Sequence, residues 1–86
     1  MKTIHKFKIE ITDEQVIEID AFAQILSFQV QNNEAFIWAL VDTNSSKVPY
    51  RFAIVGTGNP FIYDPSRSKF IGTIQLEGFV WHLFQI

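Results

Sequence analysis

Cysteine is absent from the 86-residue sequence, which removes disulfides, thiolate metal sites and thiol catalysis from consideration. Packing must hold the fold, with oligomerisation as the available supplement. Glycine and proline are sparse, at four and three residues, and no low-complexity tract, internal repeat or interdomain linker breaks the chain. Charge of one sign is also missing. Seven Lys and Arg lie scattered among nine Asp and Glu for a net charge of -2, so broad electrostatic capture of nucleic acid is disfavoured. No run approaches the roughly 18 apolar residues of a membrane helix. The basic opening Met1-Lys2-Thr3-Ile4-His5-Lys6-Phe7-Lys8 lacks the continuous apolar segment of a signal peptide. The expectation is a soluble protein of a reducing cytoplasm.

What is present is apolar. Hydrophobic residues make up 48% and aromatics 15%, with nine Phe, two Trp and two Tyr, which excludes general disorder. One domain over residues 1–86 fits this length, and a chain so short buries only roughly 60 to 65% of its unfolded surface.

The patterning is that of strands. Phe7 to Ile11 alternates apolar and charged residues with period two. Val16-Ile17-Glu18-Ile19 is β-branched and suits a second strand. A helix near residues 13–26 competes, because Thr12-x-x-Gln15 matches a capping box and Val16, Ile19, Ala23 and Leu26 recur at helical spacing. Strand is preferred on the β-branched content. Ile25 to Gln31 sets Leu26, Phe28 and Val30 on one face and Ser27, Gln29 and Gln31 on the other. Asn32-Asn33 then offers the positive φ of a two-residue hairpin. Phe36 to Val41 is apolar on both faces and reads as the central, most buried strand.

After the polar Thr43 to Lys47, the residues Tyr50, Phe52 and Ile54 alternate with Arg51, Ala53 and Val55, with Pro49 marking a strand start or an edge. Phe70 to Leu76 follows a long loop, with Gly72 as a bulge or close-packing point. Glu77-Gly78 turns the chain into Phe79 to Ile86. Short strands at regular spacing predict an all-β fold: a small antiparallel sandwich or partly open barrel of about six to seven strands.

The loop from Val55 to Lys69 is the one long irregular segment, and such loops on small scaffolds carry function or are loose. Gly56 and Gly58 invite comparison with phosphate loops, but the third glycine and the Gly-Lys-Ser/Thr ending are missing, and Pro60 removes a donor. A strand exit shaped by glycine is the better reading. Phe61, Ile62, Tyr63, Arg67 and Lys69 form the contact candidate: Tyr63 offers a stacking face and the two cations could hold a small anionic ligand such as a nucleotide, although a solvated turn begun by Asp64-Pro65 is the better reading of the cations, and Phe61 and Ile62 either fold back over the core or meet a partner. No serine has a nucleophile-elbow context, and His5 and His82 lack metal-ligand spacing. The expectation is therefore no enzyme, no cofactor and no metal.

Further segments carry a resemblance. They are Met-Lys-Thr-Ile-x-Lys-Phe at the start, Ile11-Thr12-Asp13-Glu14-Gln15, Leu26 to Asn32, Trp38-Ala39-Leu40-Val41-Asp42, Gly56 to Pro60 and Phe70 to Leu76. Over nearly its whole length the chain resembles a family of short phage and prophage proteins of unknown function. Those proteins carry a Pro-Gly type turn where this chain has Ala21-Phe22-Ala23. The resemblance implies viral or mobile-element origin and a host cytoplasm, and it transfers no activity or catalytic residue.

The leading functional expectation is a non-catalytic protein that binds and modulates a host protein, such as a CRISPR effector in host defence. Its anchors would be the exposed members of Phe61, Ile62, Tyr63, Trp38 and Trp81. One alternative is a homo-oligomeric sponge that holds a nucleotide signal through the Gly56 to Lys69 loop. Another is an assembly protein that associates through an open strand edge, either Ile4 to Ile11 or the terminal strand.

Overall fold

A computed structural model describes residues 1–86 as seven strands in two antiparallel sheets, with one short 3₁₀ turn and no α-helix. The strands are β1 (Lys2–Ile9), β2 (Glu14–Asp20), β3 (Gln24–Gln31), β4 (Glu34–Asp42), β5 (Lys47–Gly56), β6 (Lys69–Leu76) and β7 (Phe79–Gln85). One sheet runs β1-β4-β3 and the other β2-β5-β7-β6. The expected all-β sandwich is therefore the observed fold, and it is not a closed barrel.

Residues 13–26 form β2, a turn and the start of β3 in place of the competing helix. Two local facts defeat the helix. Ile17 and Ile19 alternate toward the core while Val16 and Glu18 face out, a period-two pattern that a helix would scramble. Thr12 does not cap. Its hydroxyl donates to the Glu14 carbonyl at 2.9 Å. Gln15 instead receives the Glu10 N–H at 3.0 Å and returns its own amide to the Glu10 carbonyl at 2.7 Å. This pair fastens the crossing from β1 to β2.

The hairpin of β3 and β4 forms as its turn chemistry demands, with Asn32 and Asn33 at φ 52° and 62°. Glu77 and Gly78 repeat the arrangement between β6 and β7, at φ 53° and 83°. Between the sheets, Ile9, Ile19, Phe28, Ile37, Val41, Phe52, Ile54, Ile74 and Leu83 interlock in a core with Ala35 and Ala39. The sheets draw together where β3 meets β6. A Cβ on Gly72 would stand 3.2 Å from the Phe28 Cβ, so only glycine allows this approach without displacing Phe28. Register shifts at Leu26 and Ile71 bend both strands there. On the opposite side β1 and β2 each pair with a single neighbour and leave an edge open.

Candidate functional site

The two outer faces of the sandwich differ. The face of the four-stranded sheet is covered by the loop that follows β5. Phe61 packs edge-to-face on Phe84 with ring centroids 4.9 Å apart, and on Tyr63 at 5.7 Å. The Tyr63 hydroxyl donates to Glu14 at 2.7 Å, and Arg51 donates to the other oxygen of that carboxylate at 2.8 Å. Ala53 lies between Glu14 and Phe84 in the sheet. Spanning both neighbours, the loop reduces the outward-facing Ala53 to 0% exposure. The Tyr63 hydroxyl is pushed up to about 12, by burial first and then by its bond to Glu14, whose carboxyl is held low by the Tyr63 hydroxyl and Arg51.

The candidates named from sequence divide accordingly. Phe61 and Tyr63 come together as part of this cover. Ile62, between them, points to solvent at 78% exposure. Gly56 is buried where a Cβ would meet the Trp81 ring at 3.1 Å and the Asn59 amide at 2.8 Å, and Gly58 occupies a left-handed turn at φ 87°. Both shape the strand exit. Arg67 ends the 3₁₀ turn capped by Asp64 and reaches only Asp64, at 3.8 Å. Lys69 opens β6 beside Gln85. These cations and glycines do not converge on one cavity. An apolar cleft of about 350 Å³ is lined by Phe61, Pro65, Ser68, Phe70 and Phe84. Among the imidazoles, His82 is held by Thr57 at 2.7 Å and Thr73 at 2.8 Å, one hydroxyl on each ring nitrogen.

The face of the three-stranded sheet has no such cover. Residues at even positions of β4 point outward, so Phe36, Trp38 and Leu40 form an apolar stripe that stays partly open to solvent. The strand is central, as its sequence predicts, yet only its odd positions are buried. Its register sets Ile4 beside Leu40, Lys6 beside Trp38 and Lys8 beside Phe36. On the other flank stand Gln24, Ser27 and Gln29. Lys6 lies over the Phe36 ring at 4.5 Å and donates to Gln31 at 2.8 Å. Lys8 pairs with Glu34 at 3.4 Å and Glu10 at 3.8 Å. The result is an aromatic stripe with a lysine row on one side and neutral polar side chains on the other.

At the end of this sheet stands Phe22, 100% exposed and at φ 61°. A bulky residue in the left-handed region is strained by about 1 to 2 kcal/mol. The turn is nevertheless fixed from several sides. Ala21 N–H donates to the Ser46 carbonyl at 2.8 Å. Ala23 N–H donates to the Tyr50 hydroxyl at 2.9 Å, which donates to the Asp20 carbonyl at 3.1 Å. The buried Asp20 carboxylate takes Lys47 at 2.6 Å, which holds its pKa below the usual range. Phe22, Lys2, Gln24, Leu40 and Asp42 border a depression of about 240 Å³.

The chain belongs to the DUF7352 family, a domain of unknown function, matched over residues 1–86. No curated protein and no solved structure matches it. Membership thus confirms a shared domain and brings no assigned chemistry to these residues. No helix of the fold is long and apolar enough to cross a membrane.

Sequence reasoning overlooked Phe22. Its signal was there: a three-residue connection between two strands holds neither Gly, Asn nor Pro, and its middle residue is the least suited to a left-handed turn.

Proposed function

We propose that this chain is a non-catalytic interaction protein that grips a partner protein with Phe22 and the stripe of Ile4, Phe36, Trp38 and Leu40. The observation that carries the reading is a fully exposed Phe held in a strained, hydrogen-bonded turn. Strain of this kind persists only where surrounding structure over-determines it, and it clusters at sites that bind. A folding requirement alone would favour glycine at that position.

The partner's chemistry follows from the face. Aromatic anchors with a cationic flank suit an apolar protein surface edged by carboxylates, since interface energy concentrates in such aromatics and charge complementarity sets orientation. The resemblance to phage and prophage proteins supports a host protein in that role, a defence component among them. Under this reading the anchors move from the 61–63 segment, where Phe61 and Tyr63 are engaged in covering their own sheet, to the opposite face.

Affinity capture from host lysate, followed by titration of the purified captured protein against variants, tests the reading. Phe22→Ala and Trp38→Ala are expected to weaken binding at least tenfold, while Ile62→Ala leaves it unchanged. Binding indifferent to both aromatic substitutions would refute it.

A further inference from the structure

The two open edges of the sandwich carry opposite charge. On β1 the outward row reads Lys2, Ile4, Lys6, Lys8, and on β2 it reads Glu14, Val16, Glu18. Both strands lie at the side away from the β3–β6 contact, and each pairs with one neighbour only. Ile4 and Val16 are each more than half exposed. Neither Lys6 nor Glu18 makes an ion pair within the chain. An eight-residue edge without a bulge or proline is a site where another strand adds.

We propose that β1 of one copy pairs antiparallel with β2 of a second copy, forming a twofold-symmetric dimer. A twofold axis along the strand direction, midway between the sheets, lays the three-stranded sheet of one copy against the four-stranded sheet of the other. It does so on both layers at once. Because β1 and β2 run in opposite directions within the chain, each new ladder is antiparallel. The contact is isologous and closed, which limits assembly to a pair.

Charge selects this pairing over β1 with β1. Two lysine rows side by side repel, whereas lysines facing carboxylates attract. Side chains opposite one another share a face, so the outward rows meet only when the paired residue numbers sum to an even value. A twofold axis along the strands keeps each residue at its own height, and the Gln15 side chain that bonds the Glu10 N–H and carbonyl sets those two residues level, so the sum lies near 24 and places Lys6 against Glu18 and Lys8 against Val16. Lys6 and Glu18 gain their first ion partners there, and the Lys8 stem lies over the exposed Val16. Glu14 is already held by Arg51 and Tyr63, so the Lys6–Glu18 pair carries the selectivity. Phe22, Phe36, Trp38 and Leu40 stay outside these edges, and Ile4 stands at the border between the two surfaces.

Sedimentation velocity over a concentration series tests the proposal, with circular dichroism and melting to show that each variant is folded. The substituted side chains are all exposed. Wild type is expected to be a dimer. The Lys6→Glu variant and the Glu18→Lys variant, each alone, should dissociate at least tenfold more readily. An equimolar mixture of the two should associate again, because each then offers the other complementary edges. A wild type monomeric up to millimolar concentration overturns the proposal. So does a dimer that neither variant weakens, or a mixture that stays monomeric.

Discussion

The Tyr50 hydroxyl receives the Ala23 N–H at 2.9 Å and thereby fixes the turn that projects Phe22 into solvent. Tyr50 reaches this point because β5 places it inward beside Ile17, partly buried against the core. The backbone that presents this exposed aromatic is thus fixed by a residue inside the sandwich. A fixed anchor loses less freedom on binding than a mobile one.

Phe22→Gly should separate stability from binding. Relief of the left-handed strain returns about 1 to 2 kcal/mol, and the added freedom of the unfolded chain removes about 0.4 to 1 kcal/mol. The expected outcome is a gain of about 1 kcal/mol, read as a melting temperature higher by roughly 4 to 8 °C, together with loss of partner binding. Phe22→Ala keeps the strain, so it should lose binding at nearly unchanged stability. A Phe22→Gly protein that melts lower would show that Phe22 has a packing role.

Asp20 makes the same turn acid-sensitive. Lys47 lowers the native pKa of this carboxyl, so the pair contributes stability above the unfolded value near 3.8 and loses it as pH falls through the depressed native value. Asp20→Asn should melt below wild type at pH 7. The gap should close as the pH is taken through and below that value. A gap that stays constant from pH 7 to strongly acid solution would rule out the ion pair as its source.

The strands were readable because period-two patterning and turn chemistry are local. Asn32-Asn33, Glu77-Gly78 and the alternation in β3 and β5 each declare themselves within a few residues. What covers a face is not local. The run from Phe36 to Val41 reads as buried on both faces while Trp38 is also a candidate anchor, and Phe61 reads equally as a cover over its own core or as a contact for a partner. Tertiary placement of a single loop decides between these alternatives, and nothing near Phe61 in sequence indicates Phe84 as its partner. Phe22 was obscure for a different reason: its exposure depends on a strained φ that local propensity argues against.

The loop over the four-stranded sheet should loosen at both ends of the pH scale. Glu14 has a depressed native pKa, so its share of the docking is present above its unfolded value and lost as pH falls through the native one. Tyr63 is raised to about 12, so its share is complete below the ordinary value of 10.0 and lost as pH rises toward 12. Amide hydrogen exchange or limited proteolysis of residues 57–68 would follow this. Tyr63→Phe should abolish both limbs in the loop, because the Tyr63 hydroxyl is the loop's bond to Glu14, whereas the Arg51–Glu14 pair joins β5 to β2. At neutral pH, Phe61→Ala should destabilise the protein by about 2 kcal/mol, since it removes two edge-to-face contacts along with buried area. Ile62→Ala should stay within about 0.5 kcal/mol.

Removal of residues 83–86 should unfold the chain. Leu83 is fully buried in the core, and Phe84 supports both Phe61 and Phe70. The Ile86 N–H donates to the Arg51 carbonyl at 3.0 Å, at the point where β5 leaves its pairing with β7. Burial of Leu83 contributes about 1.5 to 3 kcal/mol, and Phe84 and Ile86 add further amounts for their partly buried area. A domain of this size has a total stability of only about 4 to 13 kcal/mol. Deletion also frees the loop, whose Phe61 loses the Phe84 ring beneath it, so the loss spreads across the whole outer face. Circular dichroism of the truncated protein should show no cooperative melting transition. A transition retained at the wild-type temperature would mean that β7 holds the sheet through Phe79 to His82 alone.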